Sequence, residues 1–587
     1  MVTIPWIDKI KKSKKEKSQR DINSTEENEL LDLAKERFEL SRSEKTDHNN
    51  RPLHDKWREL DKIYRSDQWK GTAPAYKSRP VLNFTFGLVE SIVPRLTDSL
   101  PQVLIMARRD AQNEQLAKML TDTQAYLWSV NKMQQKNTEA IRMCLKYGTV
   151  IYQALWDPDF YDNLGEVSYE IVHPMNFYND PRAYTMQTQD FCFTTHPNMP
   201  IEHYMRRWPD KGPFVIDDND TNDLEDIRSN NSTQEKTATL YTYYFRDEDG
   251  NLCAMRYAGN LVLDVIGGKY DGTNAPIAKH NKFPFAKCDD YPLDKEFWSM
   301  GEIEIIEMLQ RLINNFEAQI IDNTRLMANA EWVVNKAQSG LREEDAWIFN
   351  SRPGKVIFTH NGGVNKEKGV PIPQHIPEHM ERLIFAMEQI LGVHDVVQGR
   401  RPVGVRAASA IIALQESANV RVRQKSKNLQ YALEDLVELG NWLILENYNE
   451  PRKMRLTGKT VPTTLNIHDA LKKRVVDMAA VAGFVEQGIN PEELDEDTMA
   501  QIMQEVKYPE FDTEVKVGPS VPYSQALLYE QSKEFFQLGL IDRKAVLETT
   551  NFPNREEILA RMEGAQIGEG HGQERMGERT FGDSQQG

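Results

Sequence analysis

The sequence predicts an α+β protein in which helices and strands are segregated along the chain. Three observations carry that expectation. Apolar residues recur at helical spacing up to Lys146. Short β-branched and aromatic runs, separated by turn residues, fill Thr149–Ile266. Two long helical patterns follow from Gly301 onward. A chain of 587 residues with 40% hydrophobic and 27% charged residues buries a sizeable core and spans several domains. Its mean hydropathy of −0.62 is polar for one globule and fits a multi-part shape.

Each element has a local reason. The first twenty residues hold seven Lys or Arg against two acids, Asp8 and Glu16, and read as a solvated arm or a contact for DNA or an acidic partner. Ser24 and Glu27 make a capping-box pattern before Leu30, Leu33, Ala34 and Phe38. Leu53, Trp57, Leu60 and Tyr64 mark a second helix, and Val81–Leu100 is a third apolar stretch. One long helix is expected over Asp110–Lys146, ending at Gly148 as a left-handed cap. Strands are expected at Thr149–Trp156, Glu166–Val172, Phe191–Thr195, Thr239–Phe245, Leu252–Tyr257 and Leu261–Ile266. The acidic loop Asp217–Asp226 lacks the glycine and terminal glutamate of a calcium loop and reads as solvated.

Gly301–Ala328 reads as one helix of 28 residues, roughly 42 Å long. Ile306, Leu309, Ile313, Phe316 and Ile320 form a narrow seam on it, suited to packing helices in a bundle or ring. Its expected exposed positions lean acidic: Glu302, Glu304, Glu307, Glu317 and Asp322. A small β-rich lobe follows to about Gln374, with Trp332–Val334, Trp347–Phe349 and Val356–Phe358 as strands. Leu383, Met387, Ile390 and Leu391 mark a returning helix. Gly392–Val405 is a Gly-containing loop, and a very long helix is expected over Arg406–Asn447. Arg400–Lys427 holds seven Arg or Lys against one acid, Glu416, a basic cluster suited to touching phosphates without reading bases. The same cations suit pairing with acids of another subunit. The C-terminal part reads as helical, and Gly564–Gly587 as a disordered tail.

Several function classes fall away. The net charge of −17 (72 basic, 89 acidic residues) excludes a protein coated in nucleic acid, so any DNA contact is local or slippery. No GxxxxGK[ST] loop, GxSxG or strand-borne GxGxxG occurs. The four cysteines, Cys144, Cys192, Cys253 and Cys288, form no CxxC and imply a reducing compartment. No apolar run is long enough for a membrane span, and the first twenty residues lack a secretory apolar core, which predicts a soluble chain made in the cytoplasm. His375-Ile376-Pro377-Glu378-His379 matches the HxxEH zinc-hydrolase string. Pro377 is expected to leave His375 outside the helix, which separates the two would-be ligands.

The order of these elements resembles the phage portal proteins, the head-to-tail connectors of tailed double-stranded DNA phages. The resemblance is carried by Arg79-Pro80-Val81-Leu82-Asn83, Lys146-Tyr147-Gly148-Thr149-Val150, Val172–Pro181, Gly404–Ala410 and Val517–Pro522, and spans roughly 51–563. It implies a portal fold: an α/β wing (51–285), a stem helix (286–328), a small β-rich clip (329–375), a second stem helix (376–391) and a tunnel loop (392–406). A long wing helix and following strand (407–470) and a helical crown (471–563) complete it; the charged arm (1–50) and the tail (564–587) lie outside the pattern.

The resemblance also implies a homo-dodecameric ring at one capsid vertex, with no catalytic residue, metal or cofactor. Ile306, Leu309, Ile313 and Phe316 would pack the stems, and Glu302, Glu307 and Glu317 would line a DNA-repelling channel. Arg400, Arg401 and Arg406 would touch double-stranded DNA without sequence specificity. The implied partners are the terminase large subunit, a head-completion or tail adaptor, and the major capsid and scaffolding proteins, with no membrane. The implied location is the virion, after assembly in the host cytoplasm. Two alternatives stay open: another phage structural or adaptor protein with a helical hairpin, and a metal-dependent hydrolase using His375, Glu378 and His379.

Overall fold

The computed structural model describes residues 19–448, apart from 73, 75–76, 98–100, 109–112, 161–163, 219–235, 273–274, 329–331, 341, 343, 345–362, 367–372, 374 and 393–419. Beyond 448 it describes 452–454, 463–465, 467, 511–516 and several positions between 532 and 546. The chain divides into two units, 1–518 and 519–587.

The first unit opens with α1 (Thr25–Glu44), whose capping box forms as expected: Ser24 Oγ accepts from Glu27 N–H at 3.1 Å and Glu27 returns the bond at 2.7 Å. Its buried face is Leu30, Leu31, Ala34, Phe38 and Ser41; Leu33 points outward. α2 (Leu53–Tyr64) and α3 (Phe84–Thr97) follow, then β1 (Gln102–Ala107), α4 (Glu114–Val130) and α5 (Met133–Tyr147). The single helix expected over Asp110–Lys146 is thus two, broken where Lys132 turns left-handed (φ 51°). The cause is the adjacent Asn131. Its amide donates to Val167 C=O (3.0 Å) and accepts from Tyr169 N–H (3.0 Å), satisfying the open edge of a strand.

The strands follow as β2 (Thr149–Asp157), β3 (Glu166–Val172), β4 (Phe177–Asn179), β5 (Phe191–Pro200), β6 (Thr237–Arg246), β7 (Leu252–Ala258), β8 (Leu261–Ile266) and β9 (Phe285–Asp289), with α6 (Ile201–Arg207) after β5. All six expected strands are present. β4–β8 form a five-stranded antiparallel sheet in chain order, and β3-β2-β9 a three-stranded one. Both faces of the larger sheet are covered, which explains aromatic residues at both parities of β6. Phe38 of α1 packs edge-on to Phe193 and Tyr241, so residues 25–44, grouped with the arm on sequence grounds, are built onto this sheet. Tyr244, on the opposite parity, joins the large central core. The acids Asp217 and Asp218 accept the N–H groups of Thr237 (3.2 Å) and Thr239 (2.8 Å), tying down the start of β6.

The remaining elements are α7 (Glu302–Ala328), β10 (Trp332–Val334), α8 (Lys336–Ser339), β11 (Val364–Lys366), α9 (His375–Leu391), α10 (Val420–Asn447), β12 (Arg452–Met454), β13 (Thr463–Leu465) and β14 (Phe511–Lys516). β10 pairs with β11, so the small lobe between α7 and α9 is closed by strands at its base. The lobe strands expected at Trp347–Phe349 and Val356–Phe358 lie outside the described residues. β14 falls in a stretch expected to be helical; it pairs antiparallel with β1 and buries Val515 in the central core. In the second unit, Gly539 (φ 72°) closes a turn in which Leu540 N–H donates to Phe535 C=O at 2.9 Å.

One long side chain marks how tightly the sheet side is knitted. Lys45, the residue after α1, is buried and donates to the carbonyls of Pro174 and Phe177, each at 2.7 Å. Its Nζ lies 4.5–4.9 Å from the rings of Tyr178, Trp298 and Trp57. Burial holds its pKa well below the usual lysine value.

Candidate functional site

The long helix α7 carries the seam and the acidic residues that the sequence singled out. Its buried face carries Ile303, Ile306, Gln310, Ile313 and Asn314 at steps of three and four. Ile306 and Ile313 are fully buried, and Leu309 and Phe316 are half-buried against the same core. That core includes Leu383, Met387 and Leu391 of α9 and the apolar face of α10. Within the chain, the seam therefore packs the paired helices together, with Ile306 and Ile313 fully enclosed. The large apolar side chains exposed on α7 are Met308 (69%), Leu312 and Met327, and Phe385 (60%) is exposed on α9.

Two buried amides fix α7 to the start of α3. Gln310 Oε1 accepts from the backbone N–H groups of Phe84 (3.1 Å) and Thr85 (3.3 Å), and its Nε2 donates to Leu82 C=O (2.6 Å). Asn314 Oδ1 accepts from Leu82 N–H at 3.1 Å. The first turn of α3 has no intrahelical partners for these donors, so a remote helix supplies them. Gln310→Leu keeps the volume and strands those groups. We expect a loss of about 3 kcal/mol in urea unfolding, since each unsatisfied buried group costs about 1–3 kcal/mol. A change below about 1 kcal/mol would show that the amide is dispensable.

The start of α7 is a crowded junction. Asp290 N–H donates to Gly148 C=O at 2.9 Å, and Ser299 N–H donates to Thr149 Oγ1 at 3.0 Å. Asp289 Oδ1 accepts from Ser299 Oγ (2.7 Å) and Thr149 Oγ1 (3.0 Å). Asn428 of α10 donates to the carbonyls of Asp289 (3.0 Å) and Asp290 (3.3 Å). At the centre, Lys425 pairs with Asp290 and with Glu302 (2.8 Å), and sits 3.9 Å over the Tyr291 ring. Tyr291 OH donates to Glu302 Oε1 at 3.1 Å, and Glu302 N–H donates to the Asp290 carboxylate. Burial, reinforced by the nearby Glu302, pushes the Asp290 carboxyl up to about 7 despite the Lys425 charge. Burial works against the Lys425 ammonium, but Asp290, Glu302 and Tyr291 outweigh it and hold its pKa above the usual lysine value.

This geometry corrects the expected acidic surface. Glu302 is fully buried beneath Lys425 and presents no carboxylate to solvent. Glu304 pairs with Lys56 (2.6 Å) and Glu307 with Arg311 (2.7 Å), both half-buried. Glu317 is half-buried. Lys425, counted in the basic cluster, is likewise consumed inside the chain, while Lys427 is exposed. Arg400, Arg401 and Arg406 lie outside the described residues.

The HxxEH string also differs from expectation. α9 begins at His375, with Pro377 in its first turn, where no intrahelical N–H is needed. His375 is therefore helical and one turn from His379, whose ring packs edge-on to Phe316 at 5.4 Å. Among the described residues, no group of three His, Cys, Asp or Glu side chains is placed to hold a metal, and no helix is long and apolar enough to cross a membrane.

Asp290, Tyr291, Gln310 and Asn314 were missed by sequence reasoning. The only local signal was polar residues interrupting apolar helical faces, as Gln310 and Asn314 interrupt the α7 seam.

Comparison with protein families matches residues 107–467 to the family described as phage SU10 portal protein. No curated protein matches the chain. The matched span runs from the last residue of β1 through both long paired helices, the lobe between them and α10. With more than half of its length matched in this way, the chain belongs to the phage SU10 portal protein family.

Proposed function

We propose that the chain assembles as a homo-dodecameric ring at one capsid vertex and forms the channel for genome packaging and ejection. The observation that carries this reading is the family match over residues 107–467. A head-to-tail interface that closes on itself generates such a ring. Exposed Met308 and Leu312 on α7, with Phe385 and Ile390 on α9, supply an apolar face for the neighbouring copy. The lobe between α7 and α9 is the clip, where the terminase large subunit docks during packaging and the head-completion or tail adaptor afterwards. The major capsid and scaffolding proteins surround the ring. The role is mechanical and non-enzymatic: the ATP-driven step belongs to the terminase.

Within the channel, Arg400, Arg401 and Arg406 of the tunnel loop give weak, sequence-independent holds on double-stranded DNA. Glu307 and Glu317 remain the acidic candidates for the channel wall, and Glu302 does not. Paired acids repel phosphate weakly, because a facing cation cancels most of their field. The DNA-facing balance therefore rests more on the tunnel loop than on the stem.

Two experiments test this. Negative-stain electron microscopy of the purified protein, with and without scaffolding protein, is expected to give twelve-fold rings with a central hole. A different closed count refutes the dodecamer, and no ring under either condition refutes the channel. Replacing Arg400, Arg401 and Arg406 together with Gln is expected to leave rings intact while lowering packaged or retained DNA. Wild-type packaging in that variant removes the tunnel-loop contact.

A further inference from the structure

The buried Asp290–Glu302–Lys425 cluster holds two carboxylates against one ammonium. Asp290 and Glu302 are 3% and 0% exposed. With both acids ionised, the cluster carries one uncompensated negative charge out of contact with water, a costly arrangement. Asp290 Oδ2 and Glu302 Oε2 have no hydrogen-bond partner among the described residues, so each carboxylate keeps an oxygen open to a proton. The cluster also sits at a mechanical crossing. Glu302 is the first residue of α7, Asp290 leaves the end of β9, and Lys425 is in the second turn of the described α10.

We propose that this cluster is a proton-dependent joint, which locks the start of α7 to α10 when one carboxyl is protonated and loosens the two helices when both are ionised. The upward shift of Asp290 places the change near neutral pH. The sign follows from linkage. A carboxyl with a raised folded-state pKa stabilises the joint fully below its unfolded value near 4, and that contribution is lost as pH rises through about 7. Every charged group facing Asp290 from the surrounding elements fits this assignment. α7 contributes Glu302, α10 contributes Lys425, and the following residue is Tyr291, pushed up to about 12 by burial and by Glu302. From β9, Asp289 is tied to Lys287 at 2.9 Å. From α5, the Cys144 thiol, held well above its usual pKa by its Cys288 hydrogen bond and by burial, stays neutral. Among the described groups of this cluster, Asp290 is the one whose raised pKa falls in that range.

The joint predicts a local response independent of ring formation. Hydrogen exchange of the full-length protein is measured between about pH 6 and about pH 8.5, corrected for intrinsic rates, at the amides of residues 302–306 and 424–428. Wild-type protection there is expected to fall at least about tenfold as pH rises, one pKa unit of differential interaction being a factor of ten. Asp290→Asn mimics the neutral carboxyl and is expected to stay protected throughout. A flat wild-type profile, or the same pH response in the Asn variant, overturns the proposal. Should that variant fail to fold, infrared spectra of wild-type protein carrying isotope-labelled aspartate decide the matter. A protonated aspartyl band at about pH 6 that disappears with a midpoint near neutrality supports the joint, and its absence at about pH 6 overturns it.

Discussion

Ile313→Asp unfolds the protomer rather than merely blocking assembly. Ile313 is fully buried in the core that joins α7, α9 and α10, so the substitution places an unpaired charge among apolar side chains. The cost exceeds about 4 kcal/mol, against a total stability of about 5–15 kcal/mol for a typical native protein. The expected result is a chain without a cooperative urea transition, recovered mostly as aggregate. The surface pair Met308→Ser and Leu312→Ser behaves oppositely. Each is expected to change protomer stability by less than about 0.5 kcal/mol, as surface substitutions do, while reducing ring formation. A folded Ile313→Asp monomer with a wild-type transition would mean that the seam faces a neighbouring copy after all.

Gly148→Val is the second severe change. Gly148 closes α5 with φ 88° and donates to Cys144 C=O at 2.7 Å. A β-carbon there would overlap the backbone carbonyl of Ser299, and backbone cannot swing aside as a flexible side chain can. The left-handed conformation alone costs about 1–2 kcal/mol, and forced overlap in a packed site adds about 1–3 kcal/mol. Together they predict a loss of about 4 kcal/mol in urea unfolding. Gly250→Ala isolates the conformational part: Gly250 has φ 80°, but a β-carbon there meets nothing within 4 Å. The two variants should differ by at least about 2 kcal/mol, the overlap contribution. Equal losses would show that the junction between Gly148 and Ser299 yields.

Both predictions rest on parts of the molecule that read differently in one dimension and in three. The capping box at Ser24 and Glu27, the strands Glu166–Val172 and Leu261–Ile266, and α7 were legible because their determinants lie within a few residues of one another. Periodicity reports that a face of α7 is apolar, but not what covers it. The seam suits a bundle or a ring equally on sequence grounds; within the chain it meets α9, which is separated from it by the whole lobe in sequence and lies beside it in space. The same holds for β1 and β14, whose strands pair across some four hundred residues and leave no local signature of each other.

Charge shows the limit most sharply. Glu302 and Lys425 were read as an exposed acid and an exposed base on two separate helices, which is the usual fate of such residues. The fold brings both to Asp290 and seals them from water. Composition, element order and the resemblance to the portal family were thus determined by the sequence alone, since hydrophobic periodicity, turn chemistry and caps are local properties. Which apolar faces meet, which charges are buried, and where the chain can tolerate no side chain at Gly148 were decided only by the tertiary structure. Those outcomes depend on distances between residues that lie on elements far apart along the chain, and no short window of sequence contains them.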